Sequence, residues 1–186
     1  MKEWFENKRV ALVGNAESLF NKNYGKEIDS HDVVIRMNKA AMLYTRFDCE
    51  ETHGKRTDVW AVWNFNEYEN YMNNIDKNIK VIHMSGRIRN SIKSTRVDFM
   101  YPLNMYSEIK KHAGKLQNPT TGLMMLDYLS HCNPRKVYIY GFDWKETPTF
   151  TDMNRKEEKI CGHNYDTEKE YCEKLFLKDR RFVLRN

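Results

Sequence analysis

Five short apolar runs, each closed by turn or polar residues, constrain this chain more than any other feature. They are Val10-Ala11-Leu12-Val13, Val33-Val34-Ile35, Val59-Trp60-Ala61-Val62, Lys80-Val81-Ile82 and Val137-Tyr138-Ile139-Tyr140. Short, β-branched and aromatic, they read as strands. A strand with one face in water alternates apolar and polar side chains, whereas these runs are apolar throughout, as strands covered on both faces are. The pattern predicts an α/β fold with a mostly parallel central sheet flanked by helices.

The intervening segments supply the helices. Asn118-Pro119 is followed by Thr120-Thr121, which can cap a helix, and then by Leu123, Met124, Leu126 and Leu129 at near-helical spacing until Asn133-Pro134 stops it. A last helix is expected from about Asp166 to Leu177, then a strand Arg181-Phe182-Val183-Leu184. The polar stretch Glu146 to Cys161, with Pro148, reads as a mobile loop or lid. A length of 186 residues without a repeat or low-complexity linker predicts one domain over 1–186.

Composition narrows the class. Hydrophobic residues make up 40% and charged residues 31%, and the apolar segments are punctuated, which excludes a disordered chain. No run approaches the roughly 18 apolar residues of a membrane span, and Met1-Lys2-Glu3-Trp4-Phe5-Glu6 lacks the apolar core of a secretory signal. The expected compartment is the cytoplasm, of a bacterial cell or a virus-infected host. Cys49, Cys132, Cys161 and Cys172 are too scattered for a C-x-x-C pair and are read as reduced thiols. A net charge of +5 with a basic cluster at Arg87, Arg89, Lys93 and Arg96 fits an anionic partner, nucleic acid included, or a solvated face.

In an open parallel sheet, ligands bind beyond the carboxyl ends of the strands, where loops and helix starts present backbone N–H groups. That rule selects three turns. After the first strand comes Gly14-Asn15, where glycine permits close approach of a ligand to the backbone and the amide offers a donor and an acceptor. It is neither G-x-G-x-x-G nor a Walker loop. Thr120-Thr121-Gly122 opens the strongest helix, where hydroxyls and unpaired N–H groups could converge on a phosphate or ribose, or could simply cap. Tyr140-Gly141-Phe142-Asp143-Trp144 leaves room beside Gly141 for a base or sugar, with aromatics as pocket wall or as core. Past the polar loop, His163 has the side chain suited by pKa to take a proton from a hydroxyl, with Glu168 five residues on.

Taken in order, these segments resemble the sialyltransferases of glycosyltransferase family 29. Val10-Ala-Leu-Val-Gly14-Asn15 followed by Ile28-Asp29-Ser30-His31-Asp32-Val-Val-Ile-Arg36-Met37-Asn38 is similar to the large sialylmotif, and Gly54-Lys-Arg56-Thr57-Asp58 to the family's glycine-x-arginine-threonine segment. Pro119-Thr120-Thr121-Gly122 with Tyr140-Gly141-Phe142 resembles the small sialylmotif, and His163-Asn-Tyr-Asp-Thr-Glu168 the very small one.

The resemblance implies a single Rossmann-like domain, a GT-A-like variant, running an inverting, single-displacement transfer from a nucleotide sugar to an acceptor hydroxyl. It implies donor contacts from Asn15 and Asn38, ribose and phosphate contacts from Thr120, Thr121 and Gly122, and a base pocket at Gly141. His163 would be the general base, with Gly14 and Glu168 in support and Glu168 anchoring its own segment. No cofactor is expected. The sequence has no Asp-x-Asp to hold a metal against a diphosphate, in keeping with the metal independence of the family. The family's extra histidine upstream of the very small motif is missing, since no histidine lies between Trp144 and Gly162, leaving Tyr165 or a loop lysine as substitutes. A glycan is the expected acceptor for a sialic-acid-like or other CMP-activated sugar. The alternatives are a hydroxymethylated base in DNA, with the basic cluster on phosphates, and a non-catalytic nucleotide-binding module.

Overall fold

The computed structural model describes residues 2–43, 49–63, 75–85, 96–113, 118–149 and 162–185. Among the described residues seven strands form one sheet: β1 (Arg9–Val13), β2 (Val33–Met37), β3 (Val59–Val62), β4 (Lys80–His83), β5 (Phe99–Met100), β6 (Lys136–Tyr140) and β7 (Phe182–Arg185). Their order is β5-β4-β3-β2-β1-β6-β7, and every pair is parallel, so the sheet is wholly rather than mostly parallel. From β1 the chain builds outward through β2 to β5, then crosses back to place β6 on the other side of β1. The direction of winding therefore changes between β1 and β6.

Both faces are covered, which accounts for the continuous apolar runs. Val10, Leu12, Val33, Ile35, Val59 and Ala61 face a core shared with the helices Leu103–His112, Thr121–Ser130 and Tyr165–Lys178. Ala11, Val13 and Val34 face the opposite side, against Leu19, Ile28 and Cys49. Val10, Leu12 and Val13 are fully buried, worth roughly 1.5–3 kcal/mol for each such side chain.

Helix Thr121–Ser130 lies deepest and is buried along its length to Leu129. Thr120 caps it, its Oγ1 accepting from the Leu123 N–H at 3.1 Å. At the other end the Arg181 guanidinium donates to the carbonyls of Ser130 (3.1 Å) and Cys132 (2.9 Å) while paired with Asp179 at 2.7 Å. The last strand begins at Phe182, one residue later than its sequence suggests. The last helix begins at Tyr165 because Asn164 Oδ1 accepts from the Thr167 N–H at 3.1 Å. Strand β5 is only two residues long, and helix Leu103–His112 buries only Tyr106 and Ile109, so neither carries enough periodic apolar signal to be read from sequence.

Gly54-Lys-Arg56-Thr57-Asp58 acts beneath β2. Arg56 donates to the carbonyls of Asp29 (2.9 Å), His31 (2.6 Å) and Asp32 (2.8 Å) and pairs with Asp58, which accepts from the Val34 N–H at 2.7 Å. The segment fixes where β2 starts. Cys49, Cys132 and Cys172 are buried free thiols; Cys161 lies outside the described residues. Among the described residues no helix is long and apolar enough to cross a membrane.

Candidate functional site

A cavity of about 520 Å³ opens at the carboxyl ends of β1, β2, β3 and β6, where the winding changes direction. Gly14, Asn15, Asn38, Thr120, Thr121, Gly122, Gly141, His163 and Glu168 all line it, although they come from five separated stretches of chain.

The glycines serve packing first. A Cβ on Gly14 would sit 2.3 Å from the Gly141 carbonyl oxygen, while Gly141 itself turns with φ +64°. The Gly14 N–H donates to the Tyr140 carbonyl at 2.7 Å. Gly14 thus packs closely against the loop after β6 as well as lining the cavity. A Cβ on Gly122 would meet the Phe142 ring at 2.8 Å, so this glycine seats that ring on the helix start.

The two asparagines differ. Asn38, with φ +47°, donates from Nδ2 to Thr121 Oγ1 (3.1 Å) and accepts at Oδ1 from the Trp63 N–H (3.0 Å). Its amide joins the end of β2 to the helix start and to β3, leaving one N–H and one lone pair for a ligand. Asn15 Oδ1 is buried without a hydrogen-bond partner. A buried acceptor left unpaired costs about 1–3 kcal/mol, a cost a ligand donor would relieve.

On the opposite wall, Glu168 accepts from the Thr120 N–H (2.7 Å) and from Thr120 Oγ1–H (2.6 Å). Burial holds its pKa above the ordinary value, against the opposing effect of the Thr120 hydrogen bonds and the nearby His163. The Asn118 N–H donates to the Gly162 carbonyl at 3.0 Å, and His163 Nδ1 lies 2.6 Å from the Asn118 carbonyl. A carbonyl only accepts, so Nδ1 carries the proton and the lone pair of the neutral ring sits at Nε2. Four hydrogen bonds thus fasten the Gly162–Glu168 segment to residues 118–120.

Among the aromatics, Phe142 and Trp144 line the cavity but Tyr140 does not: it is fully buried, and its hydroxyl donates to Glu27 Oε1 at 2.9 Å. Tyr165, with its ring 5.9 Å from that of His163, lines the cavity, as a substitute for the absent histidine would have to; the loop lysines, Lys156 and Lys159, lie outside the described residues. Lys39 and Trp63 also line it and were not anticipated. Each directly follows a strand end or its asparagine, a signal usable only once β3 is known to lie beside β2. Residues 146–149 are not a free lid: the Glu17 N–H donates to the Pro148 carbonyl at 3.0 Å and Ala16 bridges Thr149. The rest of that loop, 150–161, lies outside the described residues, as do Arg87, Arg89 and Lys93. Arg96 is engaged by its own fold, donating to the carbonyls of Ile75 (2.6 Å) and Asp76 (2.9 Å). Among the described residues no cluster of three or more His, Cys, Asp or Glu is arranged to hold a metal.

Sheet, winding reversal and cavity define a doubly wound α/β domain with its ligand site at the topological switch point. Comparison with known proteins narrows this. The family model for glycosyltransferase family 29 (sialyltransferase) matches residues 5–90. The chain is 24% identical over 162 residues to the CMP-N-acetylneuraminate-beta-galactosamide-alpha-2,3-sialyltransferase 2 of Mus musculus, covering 73% of this chain and 44% of that protein. It is 28% identical over 163 residues to the corresponding sialyltransferase 1 of Gallus gallus, covering 76% and 46%. The chain thus spans less than half the length of these relatives. A mammalian sialyltransferase crystallised with Gal-beta-1-3GalNAc-ortho-nitrophenol shares the fold with a TM-score of 0.68 at 21% identity, over 99% of this chain and 71% of that one. The sialyltransferase CST-II in complex with CMP does so with a TM-score of 0.65 at 14% identity, over 95% and 81%. Over residues 5–90 the chain is thus similar to glycosyltransferase family 29, the sialyltransferases.

Proposed function

We propose that this chain is an inverting, metal-independent glycosyltransferase that moves a sialic-acid-like or other CMP-activated sugar to a hydroxyl of a glycan. The observation that carries the reading is the His163 ring, tied at Nδ1 to the Asn118 carbonyl on the rim of a cavity whose other wall offers Asn15 and the start of helix Thr121–Ser130. In this reading Asn15 and the N–H groups at Thr121 and Gly122 hold the nucleotide, Asn38 and Glu168 position those groups, and Nε2 of His163 takes the acceptor proton as its oxygen attacks the anomeric carbon. A nucleoside monophosphate leaving group carries one phosphate, which helix-start N–H groups can stabilise without a metal. The names of the relatives and the CMP bound to CST-II support the donor class. The DNA-acceptor alternative has less support, since Arg96 is engaged within the fold.

The test is transfer from CMP-sialic acid to galactose-terminated glycans, with and without EDTA, beside calorimetric binding of CMP. His163→Ala is expected to lower transfer by about 10²–10⁴-fold while leaving CMP affinity nearly unchanged. Undiminished transfer by the variant would remove His163 as the base. Loss of native activity in EDTA would remove metal independence.

A further inference from the structure

The three residues after Asn15 send their backbone N–H groups to the loop that follows β6. Ala16 donates to the Gly141 carbonyl (3.2 Å), Glu17 to the Pro148 carbonyl (3.0 Å) and Ser18 to Thr147 Oγ1 (3.1 Å). On the other side of Asn15, the Gly14 N–H donates to the Tyr140 carbonyl at 2.7 Å. Asn15 Oδ1 is buried and makes no hydrogen bond, so the backbone on either side is what aims its amide. That backbone takes its position from residues 140–148.

One buried carboxylate holds those residues in turn. Asp143 Oδ2 accepts from the Thr147 N–H (3.1 Å), the Thr147 hydroxyl and Ser18 Oγ–H (3.0 Å), and Oδ1 accepts from the Lys145 N–H (3.2 Å). The bond from its own side chain to the N–H two residues on is an Asx turn. The Glu146 N–H closes the turn on the Asp143 carbonyl at 3.0 Å. Inside it, Trp144 and Lys145 both lie in the left-handed region, with φ +50° and +68°, although neither is glycine. Bulky side chains resist that conformation, so the surroundings must impose it, and the carboxylate does. Asp143 lines the cavity, but its two oxygens are taken up by four donors. It acts through its neighbours.

We infer that Asp143 is a positioning residue for the nucleotide: through Ser18 and Thr147 it locks the loop after β1 to the loop after β6 and so aims Asn15 at the donor. The inference rests on the CMP-sugar reading above, in which Asn15 holds the nucleotide.

The experiment measures CMP binding by calorimetry for the native protein, Asp143→Ala, Asp143→Asn, Ser18→Ala, Asn15→Ala and the double variant Asp143→Asn with Asn15→Ala, beside KM for CMP-sialic acid and for a galactose-terminated acceptor. Asp143→Ala is expected to bind CMP about tenfold or more weakly. Asp143→Asn keeps an oxygen for the three donors on Oδ2, and Ser18→Ala removes only the bond between the loops, so each should weaken CMP about threefold. These two also carry the test should Asp143→Ala fail to fold. Donor KM should rise with the loss of affinity while acceptor KM holds. The double variant should bind CMP no more weakly than Asn15→Ala alone, because a residue acting through that amide has nothing to aim once it is gone. Additive losses in the double variant, or unchanged CMP affinity in either Asp143→Asn or Ser18→Ala, overturn the positioning role and leave the CMP-sugar reading in place. Failure of the native protein to bind CMP overturns that reading and the inference with it.

Discussion

β1 and β2 each deliver an asparagine to the rim of the same cavity, and the protein uses the two amides differently. Asn38 bonds to Thr121 and Trp63. Asn15 keeps a buried oxygen unpaired. The first amide joins three segments of the fold; the second bears a cost that any hydrogen-bond donor reaching it would offset. Identical residue types at equivalent strand ends thus differ in how far the fold satisfies their amides, according to what it places beside them.

Three measurements can break or sharpen this contrast. The largest effect is expected at Gly14, whose place at the end of β1 depends on the neighbouring carbonyl of Gly141. Gly14→Ala forces a methyl against backbone that cannot swing aside, and urea unfolding should show a loss of about 3 kcal/mol or more. A variant as stable as the native protein would mean that the glycine serves a ligand after all.

Next come the asparagines as a pair. Asn38→Ala leaves the Trp63 N–H without its acceptor and should cost about 1–3 kcal/mol, a fall of roughly 2–4 °C in Tm per kcal/mol. Asn15→Ala removes an unpaired buried oxygen, so its Tm should hold or rise while CMP affinity falls. If both variants lose stability equally, the division between positioning and binding fails.

The smallest effect concerns Glu168. Its raised pKa means the folded state favours the protonated acid, so its contribution to stability is complete at low pH and is lost as pH rises through the raised pKa. Glu168→Gln does not ionise and can still accept from the Thr120 N–H. Between about pH 4 and pH 8 the Tm of the variant should therefore gain on that of the native protein as pH rises. A constant difference would show that Thr120 and His163 stabilise the carboxylate enough to cancel its burial.

Much of the site was legible because the requirements were local. Thr120 caps a helix whatever surrounds it, and a strand end followed by Gly14-Asn15 or Gly141 marks where a ligand can approach. Trp63 and Lys39 were missed because nothing local marks them; they line the cavity only because β3 lies beside β2. The packing of Gly14 against Gly141 was missed for the same reason, since the two are 127 positions apart in the sequence. The loop at 146 was read as free because its polarity is visible in sequence, while its attachments to Ala16 and Glu17 are not.

The sequence by itself determined where the strands other than β5 lie and that both faces of the sheet are covered, because burying a strand on two sides demands apolar residues at nearly every position. It also determined the main helix starts, because capping is a matter of neighbouring residues. Only the tertiary structure decided the strand order, the meeting of Gly14 with Gly141, and which asparagine keeps its amide for a ligand. Those outcomes depend on contacts between residues far apart in the chain, and no pattern within one segment encodes them.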